Sequence, residues 1–590
     1  MELWYYLLIA AAIFVLSALI AIFAAKKRTG RFTSTRPLSV LSLGVAFSAG
    51  WLYFPIAASI LLPTGCTYFH VVIDTFFYMI KIFAMGGSFQ NIAENLTEVS
   101  DGVFRMYMLM AAILVLCAPL LTLGWTMTII RNLSARNRYH GSFYTDAYIF
   151  CALNANSLAL AEDIRSKDPK GRTVIFTDAT AAHPLYSRAK QLGAICFAKP
   201  LDAVDFSFHS KKKKLYFFAI DTVESKNTDA AMDVMRRYGN RENTALYVFA
   251  TGITGELLLA DAAAKRDAKG VKSCIRVRRI DRIQSLISRT LYDRGYEDIY
   301  ASAASENGRY SIGAVVIGMG HCGTEMTRAL PWFGQMEGYD LRIDVFDADP
   351  KAGERFASAY PELVACGRNP AVDGDAQYSL QIHAGVDATD GAFDRQIAQL
   401  PAITYAFISL GDDDRNIAAA VKLRQLCERR GLHPKIHAVL RDAHKKESLT
   451  GITNYRGQSY DITFIGDTRE LFCEAVILGT DVEKQALERH LKWGSEESFW
   501  QYDYNYRSSV AAAIHKKMKL LCSIPGADLP VQSRTEAQKR CLRILEHRRW
   551  NAYIRSEGYV YGPRNDLAKT HNCLVPFDRL PLAEQEKDDD

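Results

Sequence analysis

The stretch Ile312-Gly313-Ala314-Val315-Val316-Ile317-Gly318-Met319-Gly320-His321-Cys322-Gly323 decides the fold of the soluble part of the chain. Its first six residues, all apolar or small, read as a strand buried on both faces, and Thr324–Phe333 continues with helical spacing. Glycines 318, 320 and 323 therefore form G-x-G-x-x-G between a strand and a helix. In that setting the first glycine makes the tight turn. The second lets a phosphate reach the backbone amides, the third lets helix and strand pack closely, and the helix N-terminus favours an anion. The next strand, Leu341–Phe346, runs into Asp347, 24 residues past Gly323, where an acceptor for a ribose hydroxyl belongs. Gly318, Gly320, Gly323 and Asp347 are thus the candidate cofactor-binding residues, for NAD or another nucleotide-derived ligand. A sheet that keeps its glycines for packing and binds nothing is the alternative. His321 reads as a packing or phosphate contact, and nothing in the sequence activates Cys322. With no paired base and substrate clamp, no catalytic residue and no enzyme activity are expected.

Strands and helices alternate on both sides of this motif. Downstream strands are expected at Ile382–Val386, Tyr405–Leu410 and Lys435–Leu440. Upstream ones are expected at Ala147–Leu153, Thr173–Thr177, Ala194–Phe197, Leu215–Ile220, Leu246–Ala250 and Ser273–Val277, with a helix over Ser157–Ile164. This alternation predicts two α/β domains with Rossmann-like, doubly wound parallel sheets, at 140–300 and 310–470. The first turn of the upstream domain, Leu153-Asn154-Ala155-Asn156-Ser157, lacks glycine, so ordinary dinucleotide binding is not expected there. Asp178 reads as a turn residue and Lys211–Lys214 as a solvated loop.

The 590 residues divide sharply in charge. Residues 1–130 hold twelve charged side chains and the remaining 460 hold 124, so the first fifth is membrane-like. Uncharged runs at 3–25, 38–62 and 106–130 are long enough to cross a bilayer. The shorter run 69–85 carries Asp74 and Lys81, seven residues apart on one helical face, and ends in Gly86-Gly87-Ser88. Five Lys or Arg in 26–37 and three in 131–138 mark both flanks as cytoplasmic. The flanks share a face only if 69–85 dips into the membrane and returns. Ionisable groups and irregular backbone at that depth line water or protein. A transmembrane domain over 1–135 with a re-entrant, pore-like helix is therefore expected, Gly86, Gly87 and Ser88 lining the pore. Four plain spanning helices used as an anchor are the alternative. Gly86-Gly87-Ser88 is not the potassium-filter sequence, so potassium selectivity is not implied.

A net charge of +6, spread thinly, argues against nucleic acid as a partner. The twelve cysteines are scattered singly, with neither a CxxC pair nor HExxH, so no metal site is expected. They suit a reducing compartment.

Beyond residue 490 aromatics and arginines concentrate. Phe499–Ser509 (FWQYDYNYRSS) leads into a helix over Val510–Leu521, and Glu546–Tyr553 (EHRRWNAY) continues through Gly558-Tyr559-Val560-Tyr561-Gly562-Pro563-Arg564, Lys569-Thr570-His571 and Leu574-Val575-Pro576-Phe577. Over 490–585 this pattern resembles the RyR domain, the small helical repeat of ryanodine receptors that also occurs in prokaryotic proteins. The two Rossmann-like units below a membrane domain resemble RCK and TrkA-N domains, the ligand-sensing units of potassium channels and Trk-type transport subunits. Trp550, Tyr559 and Tyr561 could stack on a base, and Arg507, Arg555, Arg564, Lys569 and His571 could donate to phosphate; the same residues could equally hold a small helical module together. The charged run Glu584–Asp590 (EQEKDDD) is expected to fray.

The resemblances imply a nucleotide-gated membrane effector, ion-channel-like and homo-oligomeric (dimer or tetramer), multi-pass in the inner (plasma) membrane with cytoplasmic soluble domains, and placed by its RyR-like part with prokaryotic anti-phage defence. A membrane-tethered nucleotide-binding sensor or scaffold without a pore is the alternative.

Overall fold

The computed structural model describes residues 3–28, 35–84, 101–251, 255, 257, 275–306, 308–368, 378–478 and 481–589. They fall into two compact units, 1–153 with 173–210, and 154–172 with 211–590.

In the first unit, three helices are long and apolar enough to cross a membrane, over Leu3–Ile22, Leu38–Thr64 and Gly102–Met127. The fourth apolar run is a shorter helix, Tyr68–Lys81, closed by a 3-10 turn over Ile82–Ala84. Its 14 residues rise about 21 Å, short of the roughly 30 Å hydrocarbon layer. Asp74 and Lys81 part company there. The Tyr53 hydroxyl donates to Asp74 Oδ2 at 3.0 Å and its ring stacks on Tyr78 with centroids 4.0 Å apart, whereas Lys81 is exposed. Gly86, Gly87 and Ser88 lie outside the described residues.

The last apolar helix does not stop at the expected edge of the transmembrane domain. It runs unbroken over Asp101–His140, 40 residues or about 60 Å. Its end is seated firmly. Tyr139 is 1% exposed among Phe197, Phe206, Phe208 and His209, and Arg138 donates to the carbonyls of Gly193 and Ala194 at 3.0 and 3.2 Å. Strands β1 (Asp146–Phe150), β2 (Arg172–Phe176) and β3 (Ile195–Cys196) follow, β2 and β3 being parallel.

The second unit continues with three parallel neighbours, β4 (Leu215–Ala219), β5 (Thr244–Phe249) and β6 (Ile275–Ile280). Its second sheet contains β7 (Ala304–Glu306), β8 (Arg309–Ile317), β9 (Tyr339–Asp347), β10 (Tyr378–Ala384), β11 (Tyr405–Ile408), β12 (Lys435–Val439) and β13 (Ile462–Ile465). Their order is β10-β9-β8-β11-β12-β13, all parallel, with β7 antiparallel on β8. Alternate residues of one strand enter different cores. Ala314 and Val316 join Ile343, Val345 and Phe407, while Val315 and Ile317 join Phe346, Ala406 and Ile408. Both faces are covered, which is why the strand reads as a continuous apolar run.

One device occurs twice. Asn227 and Asn416 are each the fourth residue of the helix after β4 and β11 respectively. Asn227 Oδ1 accepts from Asp221 N and its Nδ2 donates to Phe249 O at 2.8 Å. Asn416 Oδ1 accepts from Leu410 N at 2.6 Å and its Nδ2 donates to Val439 O at 2.7 Å. Each buried amide clasps the ends of two neighbouring strands.

The last hundred residues form helices Asp481–His490, Asp503–Leu521 and Glu536–Ser556 and a short parallel ladder, Val560–Tyr561 with Thr570–His571. They share one core with a face of the second sheet, where Ile514, Met518, Leu545 and Tyr553 pack together with Leu330 and Phe333. The run Glu584–Asp590, expected to fray, is instead docked through Asp589: Glu586–Asp588 is a 3-10 turn, and Asp589 receives a two-pronged bond from Arg543 at 2.7 and 2.6 Å.

Candidate functional site

The turn after β8 lies at the carboxyl edge of a parallel sheet, where the order of strands reverses around β8 and β11. Its three glycines have different reasons to be glycine. Gly318 has φ +93°, and a Cβ there would meet Ser409 O at 2.5 Å. A Cβ on Gly323 would lie 1.7 Å from Gly318 O. Packing requires both. Gly320 has an ordinary φ of −64°, and a Cβ there would meet nothing within 4 Å. Neither backbone strain nor any neighbour demands glycine at 320, so the space above it stays open to something outside the chain. Gly320 is also the N-cap of the helix His321–Phe333, so the amides of the first turn point the same way.

Asp347 sits where the sequence places it, at the end of β9, and it also holds the loop. Its Oδ2 accepts from Met319 N at 2.6 Å and its Oδ1 from Asp349 N at 2.7 Å. Across the crevice, Asp413 accepts from the amides of Arg441 and Asp442 at 3.0 and 3.1 Å, fixing the opposite wall. His321 is exposed at the rim. Burial pushes the Cys322 thiol up to about 12, so it is no nucleophile at neutral pH. Among the described residues no group of three His, Cys, Asp or Glu could hold a metal ion.

The eight residues singled out near the end of the chain separate into two groups. Arg507 and Arg555 are committed to carboxylates: Arg507 pairs with Glu557 and, at 3.6 Å, Asp503, while Arg555 Nε donates to Glu362 at 3.3 Å. Trp550 meets His571 edge-on at 5.0 Å, and Tyr559 is half-buried. Tyr561 is exposed on the ladder and Arg564 in the loop between its strands, and Lys569 Nζ donates to Glu557 O at 2.8 Å. The structure therefore does not gather these eight into one pocket.

What it gathers instead is an ionic relay that sequence reading missed. Arg328, on the helix that the glycine loop opens, pairs with Glu325 and, at 2.9 Å, with Glu557; Glu557 pairs with Arg507, Arg507 with Asp503, and Asp503 with Arg279 of β6 at 2.7 Å. Burial pushes the Glu557 carboxyl up, but the guanidiniums of Arg507 and Arg328 outweigh it and hold it below the usual carboxylate range. The relay encloses a cavity of about 70 Å³. A larger groove of about 510 Å³ runs along the open edge strand β13, and its lining includes none of residues 318–323. The open crevice at Gly320 is the better candidate for a ligand.

No family model matches the chain, and no curated protein matches it.

Proposed function

We propose that the chain is a membrane-embedded effector whose Rossmann-type second sheet binds a nucleotide-derived ligand, NAD being the first candidate, at Gly318, Gly320, Gly323 and Asp347. The observation that carries this reading is Gly320, the one glycine of the three with open space above it. The strand order β10-β9-β8-β11-β12-β13 supports it, because ligands of such sheets bind at the carboxyl edge where the order reverses.

The ligand acts by binding one state of the assembly better than another. Within the second unit the relay from Arg328 through Glu557 and Arg507 to Arg279 offers a stiff path from the loop helix to β6. Within the first unit the helix Asp101–His140 joins an apolar span to the socket of Tyr139. The short helix Tyr68–Lys81 supports the re-entrant reading, since only two crossings then separate the basic flanks 26–37 and 131–138, which leaves them on one face. On this reading the chain acts as a ligand-gated conduit, assembled from several copies in the inner membrane with cytoplasmic sheets, and carries out no catalysis. The RyR-like reading of the last hundred residues places it with prokaryotic defence systems.

The test is flux from liposomes holding the purified protein. NAD is expected to raise ion flux in the wild type and leave Gly320→Ser silent. Ligand binding without flux reduces the protein to a tethered sensor; no binding by the wild type removes the loop from the mechanism.

A further inference from the structure

The helix that the glycine turn opens does not start alone. Helix Arg282–Gly295 lies beside it and runs the same way. At the far ends a Cβ on Gly295 would meet the Phe333 ring at 2.5 Å, and near the starts Gln284 and Ser285 line one cavity with Glu325. Leu286, Ile287 and Leu291 share a core with Met326, Leu330 and Phe333. Two helix starts thus lie together at the glycine turn, and they differ in one respect. Asp281 caps the first, accepting from Ile283 N and Gln284 N at 2.9 and 3.2 Å, whereas Gly320 leaves the second without a side-chain cap.

Two arginines stand at this place with their guanidiniums unengaged. Arg282 is the first residue of its helix. Arg441 follows β12 and is held by its backbone: its N–H donates to Asp413 at 3.0 Å and its carbonyl accepts from Thr468 N at 3.3 Å. Both side chains are exposed, and among the described residues neither guanidinium makes a hydrogen bond or an ion pair. Both act on Cys322, the second residue of the uncapped helix. Burial first, then Glu325 and Asp281, push its thiol up, and Arg441 and Arg282 pull against them. The acids around them are already engaged. Asp281 and Asp413 hold backbone amides, Asp347 holds Met319 N and Asp349 N, and Glu325 pairs with Arg328. Beneath the turn Ser409 is 6% exposed, and its Oγ, 3.1 Å from where a Cβ on Gly323 would stand, is buried with no hydrogen-bond partner. An orphaned buried hydroxyl, an uncapped helix start and two unpaired guanidiniums mark one place that lacks an oxyanion.

We infer that, given a nucleotide at the glycine turn as proposed above, Arg282 and Arg441 close on its phosphates from two sides, and that the ligand carries at least a diphosphate. A guanidinium fork takes two oxygens at once, and two forks added to the open amides of the helix offer more donors than a single phosphate can use. Neither arginine lies in the glycine stretch; folding brings them to it from before β7 and from after β12. Asp347 steadies the loop from below, so the charge that meets the phosphates comes from these two side chains and from the helix start.

The experiment is calorimetry on the purified full chain with NAD, ADP and AMP. Wild type is expected to prefer ADP to AMP. Arg282→Gln with Arg441→Gln is expected to weaken NAD and ADP about tenfold or more and AMP by no more than about threefold, so that the preference is lost. Added salt is expected to weaken ADP binding by the wild type far more than by the variant. Arg282→Lys with Arg441→Lys keeps the charge without the fork and is expected to fall between the two. Both side chains are exposed and unpaired, so the melting temperature is expected to hold; the single variant Arg441→Gln decides the matter if the double variant melts early. NAD and ADP bound by the Gln variant as tightly as by the wild type, or equal losses for ADP and AMP with an unchanged salt dependence, overturn the clamp and leave the nucleotide site standing. No binding of NAD, ADP or AMP by the wild type overturns the nucleotide site, and the clamp with it.

Discussion

Two turns at the carboxyl ends of first strands invite comparison, Leu153–Ser157 and Gly318–Gly323. In the first, Asn154 is extended and does three things at once. Its Oδ1 accepts from Ser157 N at 2.9 Å, its backbone N–H is received by Ser157 Oγ, and its Nδ2 donates to Ile220 O at 2.6 Å. A side chain thus caps the helix at this turn. In the second turn Gly320 has no side chain to cap the helix and the space beside it is open, and the loop is held from below by Asp347. Farther along the two α/β segments agree closely, through the clasps of Asn227 and Asn416. The two turns therefore differ at a single residue, a capping Asn154 against an uncapped Gly320.

The strongest way to break the comparison is Gly323→Val. A Cβ 1.7 Å from a backbone carbonyl cannot be accommodated by side-chain movement, and a loss of about 4 kcal/mol or more is expected, read as a collapse of the denaturant midpoint. Next come Asn227→Ala and Asn416→Ala, measured side by side. Each leaves a backbone N–H and a carbonyl, buried or half-buried, without their partner, so each is expected to cost about 1–3 kcal/mol. A large cost at one and none at the other would show that the clasps are not equivalent. Smaller still is Asn154→Ala, which loses an N-cap and about 1 kcal/mol, with no effect on nucleotide binding. The smallest effect on stability is the most telling for function. Gly320→Ser is a good N-cap residue in open space, so melting should move by no more than a few tenths of a kcal/mol. NAD affinity measured by calorimetry should nonetheless fall at least tenfold, about 1.4 kcal/mol. Unchanged affinity in that variant would make the two turns alike after all.

Much of this was legible before any coordinates. The strand Arg309–Ile317 and the helix after it follow from an apolar run and three glycines. The three apolar spans follow from length and missing charge, and Asp347 from its offset. Which glycines are needed for packing was not legible, because the atoms that forbid a Cβ at 318 and 323 include Ser409, far along the chain. The ion pairs of Arg507 and Arg555 were not legible for the same reason: their acids, Glu557 and Glu362, lie 50 and 193 residues away. The repeat of Asn227 and Asn416 was within reach, since each stands eight residues past the end of its strand.

Local composition by itself determined where the chain is membrane-like, where strands and helices alternate, and where a glycine-rich turn opens a helix. Those properties depend on neighbours within a few residues, through hydrophobic periodicity and backbone freedom. Only the tertiary structure decided that the last hundred residues share a core with the second sheet, that a carboxylate relay joins them, and that Asp589 is held by Arg543. A buried charge is judged by its partner, and here the partners are brought together by folding from distant parts of the chain.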